Sequence, residues 1–174
     1  MNEQDISRLV ESVMGSISSA SDCNAEKHHK CTCLRDISLD MAKKLALKIE
    51  AKAKEIGVNA VVAISNTGAR PVLVECMDDS YIASYDVALN KAYTVVSLKM
   101  TTSQLKELSQ PGGPLYGIQF TNNGQIVIFG GGEPLKYNGR IIGGLGVSGG
   151  SEEQDTFLAS YGASVLAEVI KEFK

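Results

Sequence analysis

The sequence predicts an α+β fold. Stretches with helical periodicity stand before, between and after short β-branched runs, and those runs are joined by tight-turn signals rather than by long crossovers. Eleven of the seventeen glycines fall in three pieces, Pro111–Gly117, Gly130–Gly132 and Gly143–Gly150. Glycine at that density belongs where φ must be positive or where another group approaches the backbone closely. Apolar residues make up 44% of the 174 positions and charged residues 21%, enough to bury a core.

The elements follow in chain order. Ile6, Leu9, Val10, Val13, Met14 and Ile17 fall on one stripe of an amphipathic helix over residues 1–18, with Asn2 or Asp5 as cap. A helix this short needs a partner for its apolar face. Residues 19–33 have no periodicity and read as a linker, and residues 34–174 as the folded domain. There a helix is expected from Ser38, as N-cap, to Ile56. Met41, Leu45, Ile49 and Ala53 share its face, and Gly57 ends it. Val58–Ser65 reads as a strand, 66–69 as a turn, and Pro71–Glu75 as the returning strand. Tyr81–Leu98 is helical, and Thr102 or Ser103 caps a shorter helix that ends near Ser109. Gln125–Phe129, Leu135–Tyr137 and Arg140–Val147 read as the strands of an antiparallel meander. Asn138-Gly139 is a strong hairpin signal between the last two. The final helix runs over residues 152–173, its stripe drawn from Phe157, Leu158, Tyr161, Val165, Leu166, Val169 and Ile170.

Charge and composition exclude several classes. A net charge of −3 without a basic cluster gives no case for nucleic acid. No apolar run is long enough for a membrane span. Glu3, Asp5 and Glu11 interrupt the start, so it does not read as a secretory signal. A cytoplasmic protein with mostly reduced cysteines is the expectation. No P-loop ending or dinucleotide fingerprint accompanies the glycines.

Two readings of the glycine loops stand. In one they serve tight turns and close packing. In the other Gly112, Gly113 and Tyr116, Gly130, Gly131 and Gly132, and Ser148, Gly149 and Gly150 line a shared small-ligand pocket. The amides leading into the last helix would then favour a carboxylate or propionate. Lys91 stands in an otherwise apolar stretch and is a site candidate. Asp86, five residues before it, is about 140° away around a helix and cannot pair with it in the usual way. The chain's two histidines, His28 and His29, lie in the linker with Cys23, Cys31 and Cys33. These five soft ligands within eleven residues suit zinc or iron. No hydrolytic triad can be assembled, and no catalytic residue is assigned.

The glycine pieces, in this order and spacing, together with Asp86 and Lys91-Ala92-x-Thr94, resemble the GlcG/HbpS-like haem-binding family (DUF336). That family includes the C-terminal domain of PduO-type proteins. The resemblance implies a profilin-like or PAS-like five-stranded sheet with packed helices, a homo-oligomer, and haem or a related tetrapyrrole as cofactor. The axial ligand it implies is histidine, which leaves His28 or His29, or substitutes such as Met41, Met77, a tyrosine or Cys76. Residues 5–14 resemble the encapsulation peptides of bacterial microcompartment cargo. That resemblance implies a shell protein or other cargo as partner and the microcompartment lumen as location. Two other functions stay open: an oligomeric scaffold without cofactor, and an enzyme acting on a small carboxylate or aldehyde derivative at Lys91.

Overall fold

A computed structural model describes residues 34–173. The helix expected over residues 1–18 and the expected Cys/His linker lie outside the described residues. Helix α1, Leu39–Glu55, is capped by the Ser38 hydroxyl, which accepts from the Met41 N–H. Met41, Leu45, Ile49 and Ala53 are all buried on it as their spacing predicts, and Gly57 leaves the helix at φ +69°. Strands β1 (Val61–Ser65) and β2 (Pro71–Cys76) form an antiparallel hairpin. Helix α2 (Ser84–Leu98) and the short α3 (Thr102–Leu108) follow. Thr101, rather than the expected Thr102 or Ser103, caps α3 in a reciprocal box with Gln104. Strands β3 (Gly132–Tyr137) and β4 (Arg140–Ser148) form the second hairpin, and α4 spans Glu152–Lys171. The turn between β3 and β4 is the Asn138-Gly139 pair, both at positive φ (49° and 75°), as a two-residue hairpin loop requires.

The sheet has four strands among the described residues, in the order β2-β1-β4-β3, each pair antiparallel. The expected five-stranded sheet is therefore corrected. Gln125–Phe129, predicted as a strand, runs alongside α2 instead. The Val127 N–H donates to the Thr94 hydroxyl at 3.0 Å, so a helix side chain takes the place of a ladder partner. Its apolar run is buried at Ile126 and Val127 without any strand pairing. Periodicity alone does not separate these two outcomes.

Helices cover both faces of the sheet. Val62 and Ile64 of β1 join Leu145 and Val147 of β4 beneath α1 and α4, in the main core. The alternate residues Val61 and Ala63 pack with Ala88 and Ala92 of α2 on the other face. The glycines of β4 divide the same way. A Cβ on Gly144 would lie 2.5 Å from the Ala92 carbonyl oxygen, and one on Gly146 would lie 2.0 Å from that of Ala88. These glycines let α2 sit directly on the sheet, so on this strand the close-packing reading of the glycines holds. In α4, Leu158, Leu166, Val169 and Ile170 are buried, but Phe157 is half exposed and drops out of the expected stripe. Ala159 and Gly162 take part instead, Gly162 where Leu145 and Ile49 press closest.

Candidate functional site

Lys91 lies on the buried stripe of α2, in phase with Ala88, Ala92 and Val95, and its solvent exposure is 0%. A lysine so placed must find partners for its ammonium, because an unpaired buried charge is prohibitively costly. Its Nζ donates to the Val147 carbonyl at 2.7 Å and to Asp155 Oδ2 at 2.8 Å. The ring of Phe129 covers a third direction, its centroid 5.0 Å from Nζ. Asp155, in the first turn of α4 and also buried, accepts the Gly150 N–H on Oδ1 at 3.0 Å. One ion pair thus joins α2, the end of β4 and the start of α4. Burial pushes the Lys91 pKa below its ordinary value, against the opposing pull of the Asp155 carboxylate.

The Gly130–Gly132 loop fits around this pair. Gly131 has φ +103°, and a Cβ there would lie 2.6 Å from Nζ of Lys91. At Gly130 a Cβ would meet the Thr156 hydroxyl at 2.1 Å. The Gly130 N–H donates to Glu152 Oε1 and the Gly132 N–H to the Thr102 hydroxyl. Lys106 donates to the other oxygen of Glu152, and these two bonds, Lys106 first, hold the Glu152 carboxyl below its ordinary pKa. At the start of α4 the Ser151 and Gln154 amides are bonded to each other's side chains in a capping box. The amides of Gly130, Gly132, Gly150, Ser151 and Gln154 are therefore all committed within the protein rather than presented to an anion.

Of the predicted site residues, Lys91, Gly130–Gly132, Ser148 and Gly150 gather at this junction, Ser148 through a 3.1 Å bond to Ser84 of α2. Gly112, Gly113 and Tyr116 sit on a loop whose hydrogen bonds run to Leu108, Gln110 and within the loop. None of those bonds reaches Gly130–Gly132 or α4. Asp86 is exposed, away from Lys91. Among the possible iron ligands Met41 is buried in the main core, and Met77 Sδ accepts the Ala60 N–H. Cys76 is exposed. His28, His29, Cys23, Cys31 and Cys33 lie outside the described residues, and among the described ones no three His, Cys, Asp or Glu side chains converge as a metal site. No described helix is long and apolar enough to cross a membrane.

Sequence reasoning missed Asp155. The signal was available, because Asp155 is in phase with Leu158, Ala159, Gly162 and Leu166 on the buried stripe of α4. A charge in register with an apolar stripe on each of two helices points to a buried pair. Outside the pair, a cleft of about 490 Å³ opens beside Gly149–Ser151, walled by Gly57–Asn59, Asp79, Tyr81 and Gln154. Tyr81 is 72% exposed and the adjacent Ile82 97% exposed.

An uncharacterized 15.0 kDa protein of Citrobacter freundii is 44% identical over 141 residues, 81% of this chain and 99% of that protein. The corrinoid adenosyltransferase PduO of Salmonella typhimurium is 40% identical over 108 residues, but these span only 32% of its length. Among solved structures, Klebsiella pneumoniae ORFY superposes with a TM-score of 0.75 at 39% identity, covering 81% of this chain and 97% of that one. A haem complex of PduOC gives a TM-score of 0.71 at 35% identity, covering 74% and 94%. Residues 37–164 match the family described as haem degrading protein HbpS-like, and the chain belongs to that HbpS-like family.

Proposed function

We propose that the protein binds haem, or a related tetrapyrrole, at the cleft beside Gly149–Ser151. The observation that carries this reading is the likeness to the PduOC domain in its haem complex, at 35% identity over 74% of this chain. A macrocycle needs apolar contact on its faces and a ligand for its iron. Tyr81 supplies uncovered apolar surface at the cleft. The buried Lys91–Asp155 pair, through Val147 and Gly150, holds the backbone of the cleft wall. His28 or His29 is the proposed axial ligand, histidine being a good ligand for haem iron. Bound haem would supply redox chemistry at its iron, and the chain would fix its orientation and solvent access.

The amphipathic residues 1–18 are read as an encapsulation helix, 19–33 as its linker, and the whole as an oligomeric cargo protein of a bacterial microcompartment. Lys91 as a working amine is disfavoured, because its Nζ is fully buried and its donors face Val147, Asp155 and the Phe129 ring. Haem titration of the full chain tests the placement. Tyr81→Asp, at an exposed position that lines the cleft, is expected to weaken haem binding about tenfold or more while leaving the melting temperature unchanged. Unaltered affinity in that variant would remove haem from this cleft.

A further inference from the structure

A second cleft, of about 480 Å³, lies between the β1–β2 turn and the outer face of α2. Arg70 of the turn and Asp86 of the helix both line it, with Leu89, Asn90, Tyr93 and Gln125. Neither Arg70 nor Asp86 makes an ion pair or side-chain hydrogen bond with any described residue, and they do not pair with each other. Two opposite charges share one cleft and stay apart.

The turn that presents Arg70 is heavily braced. Asn66 Oδ1 accepts from both the Gly68 and the Arg70 N–H, at 2.9 and 3.0 Å, and the Asn66 N–H donates to the Arg70 carbonyl. Asp36 holds Thr67 through its amide and its hydroxyl. Ala69 is fixed at φ +56°, a conformation that costs a non-glycine residue energy and persists only when its surroundings impose it. On the opposite wall, Tyr93 is steadied by Asn122, whose amide donates to its phenolic oxygen at 3.1 Å. The cleft is thus built on rigid supports, which lowers the ordering cost of binding. A guanidinium offers two parallel donors to a carboxylate, and a carboxylate accepts from an ammonium.

We infer that this cleft binds a small zwitterion, an amino carboxylate with an apolar side chain. Its carboxylate lies on Arg70, its ammonium on Asp86, and its body against Leu89 and Tyr93. The experiment is calorimetric titration of the full chain with three probes of one skeleton: L-leucine, 4-methylpentanoate and 3-methylbutylamine. Saturable binding of leucine is expected, with the acid and the amine each about tenfold weaker or worse, since each leaves one charge unanswered. Arg70→Gln and Asp86→Asn, both at exposed positions, are each expected to weaken leucine about tenfold with unchanged melting temperature. Leucine affinity unchanged in both variants, or equal binding of all three probes, overturns the inference. So does the absence of saturable binding by leucine and, as a larger probe, L-phenylalanine at millimolar concentration.

Discussion

Replacing Lys91 by methionine tests whether the buried ion pair is the joint that holds α2, β4 and α4 together. The substitution roughly preserves side-chain length and removes the ammonium. Asp155 is then left 4% exposed, with a single remaining bond from the Gly150 N–H and no cation. The Val147 carbonyl loses its 2.7 Å donor as well. Removing one partner of a buried pair costs about 3–5 kcal/mol, because the surviving charge is uncompensated. For a domain of this size that corresponds to a melting-temperature drop of roughly 9–15 °C. Lys91→Met/Asp155→Asn removes the stranded charge while keeping an oxygen for the Gly150 amide. It should therefore recover about 2 kcal/mol relative to Lys91→Met alone. Urea unfolding read by circular dichroism, compared at constant m-value, measures both differences. A loss below about 1 kcal/mol for Lys91→Met, or a double variant no more stable than the single one, would refute the reasoning.

Gly146→Ala should cost about 3 kcal/mol or more by the same urea assay, since its Cβ would stand 2.0 Å from the Ala88 carbonyl oxygen. Gly139→Ala, with open space but φ +75°, should cost only about 1–2 kcal/mol, and a reversed order would contradict the packing role given to β4. The Glu50 carboxyl is raised above its ordinary pKa by burial first and by the adjoining Glu75 next, and that of Glu133 by burial. In the folded state both hold protons to higher pH than in the unfolded chain, so their contribution is fully present below pH 4.5 and is lost as pH rises through the folded values. Glu50→Gln and Glu133→Gln should thus gain stability relative to the parent between pH 4 and pH 7. Urea midpoints across that range would show a parallel dependence if the reading were wrong.

Local rules carried most of the fold. Ser38 and Gly57 mark the ends of α1, and Asn138-Gly139 makes the β3–β4 hairpin, because caps and two-residue turns are decided by adjacent residues. Gln125–Phe129 failed for the complementary reason. Its apolar β-branched pattern is equally satisfied by lying along α2, and the bond from Val127 to Thr94 that settles the matter spans 33 residues. At the site, Lys91 was conspicuous as a lysine on an apolar stripe. Its partner Asp155, 64 positions away, looked like one more acid in a helix's first turn. The glycine loops were legible as crowded but not as to what crowds them. At Gly131 the neighbour is the lysine amine itself, and at Gly144 and Gly146 it is the α2 backbone.

Visible-absorbance titration of the full chain with haem, beside the His28→Ala/His29→Ala variant, reads both haem binding and its iron ligand. A saturable Soret shift at about one haem per chain is expected, lost when both histidines are removed. A parent chain with no saturable shift would contradict haem binding. A shift unchanged in the double variant would contradict the assignment of the iron ligand to the linker.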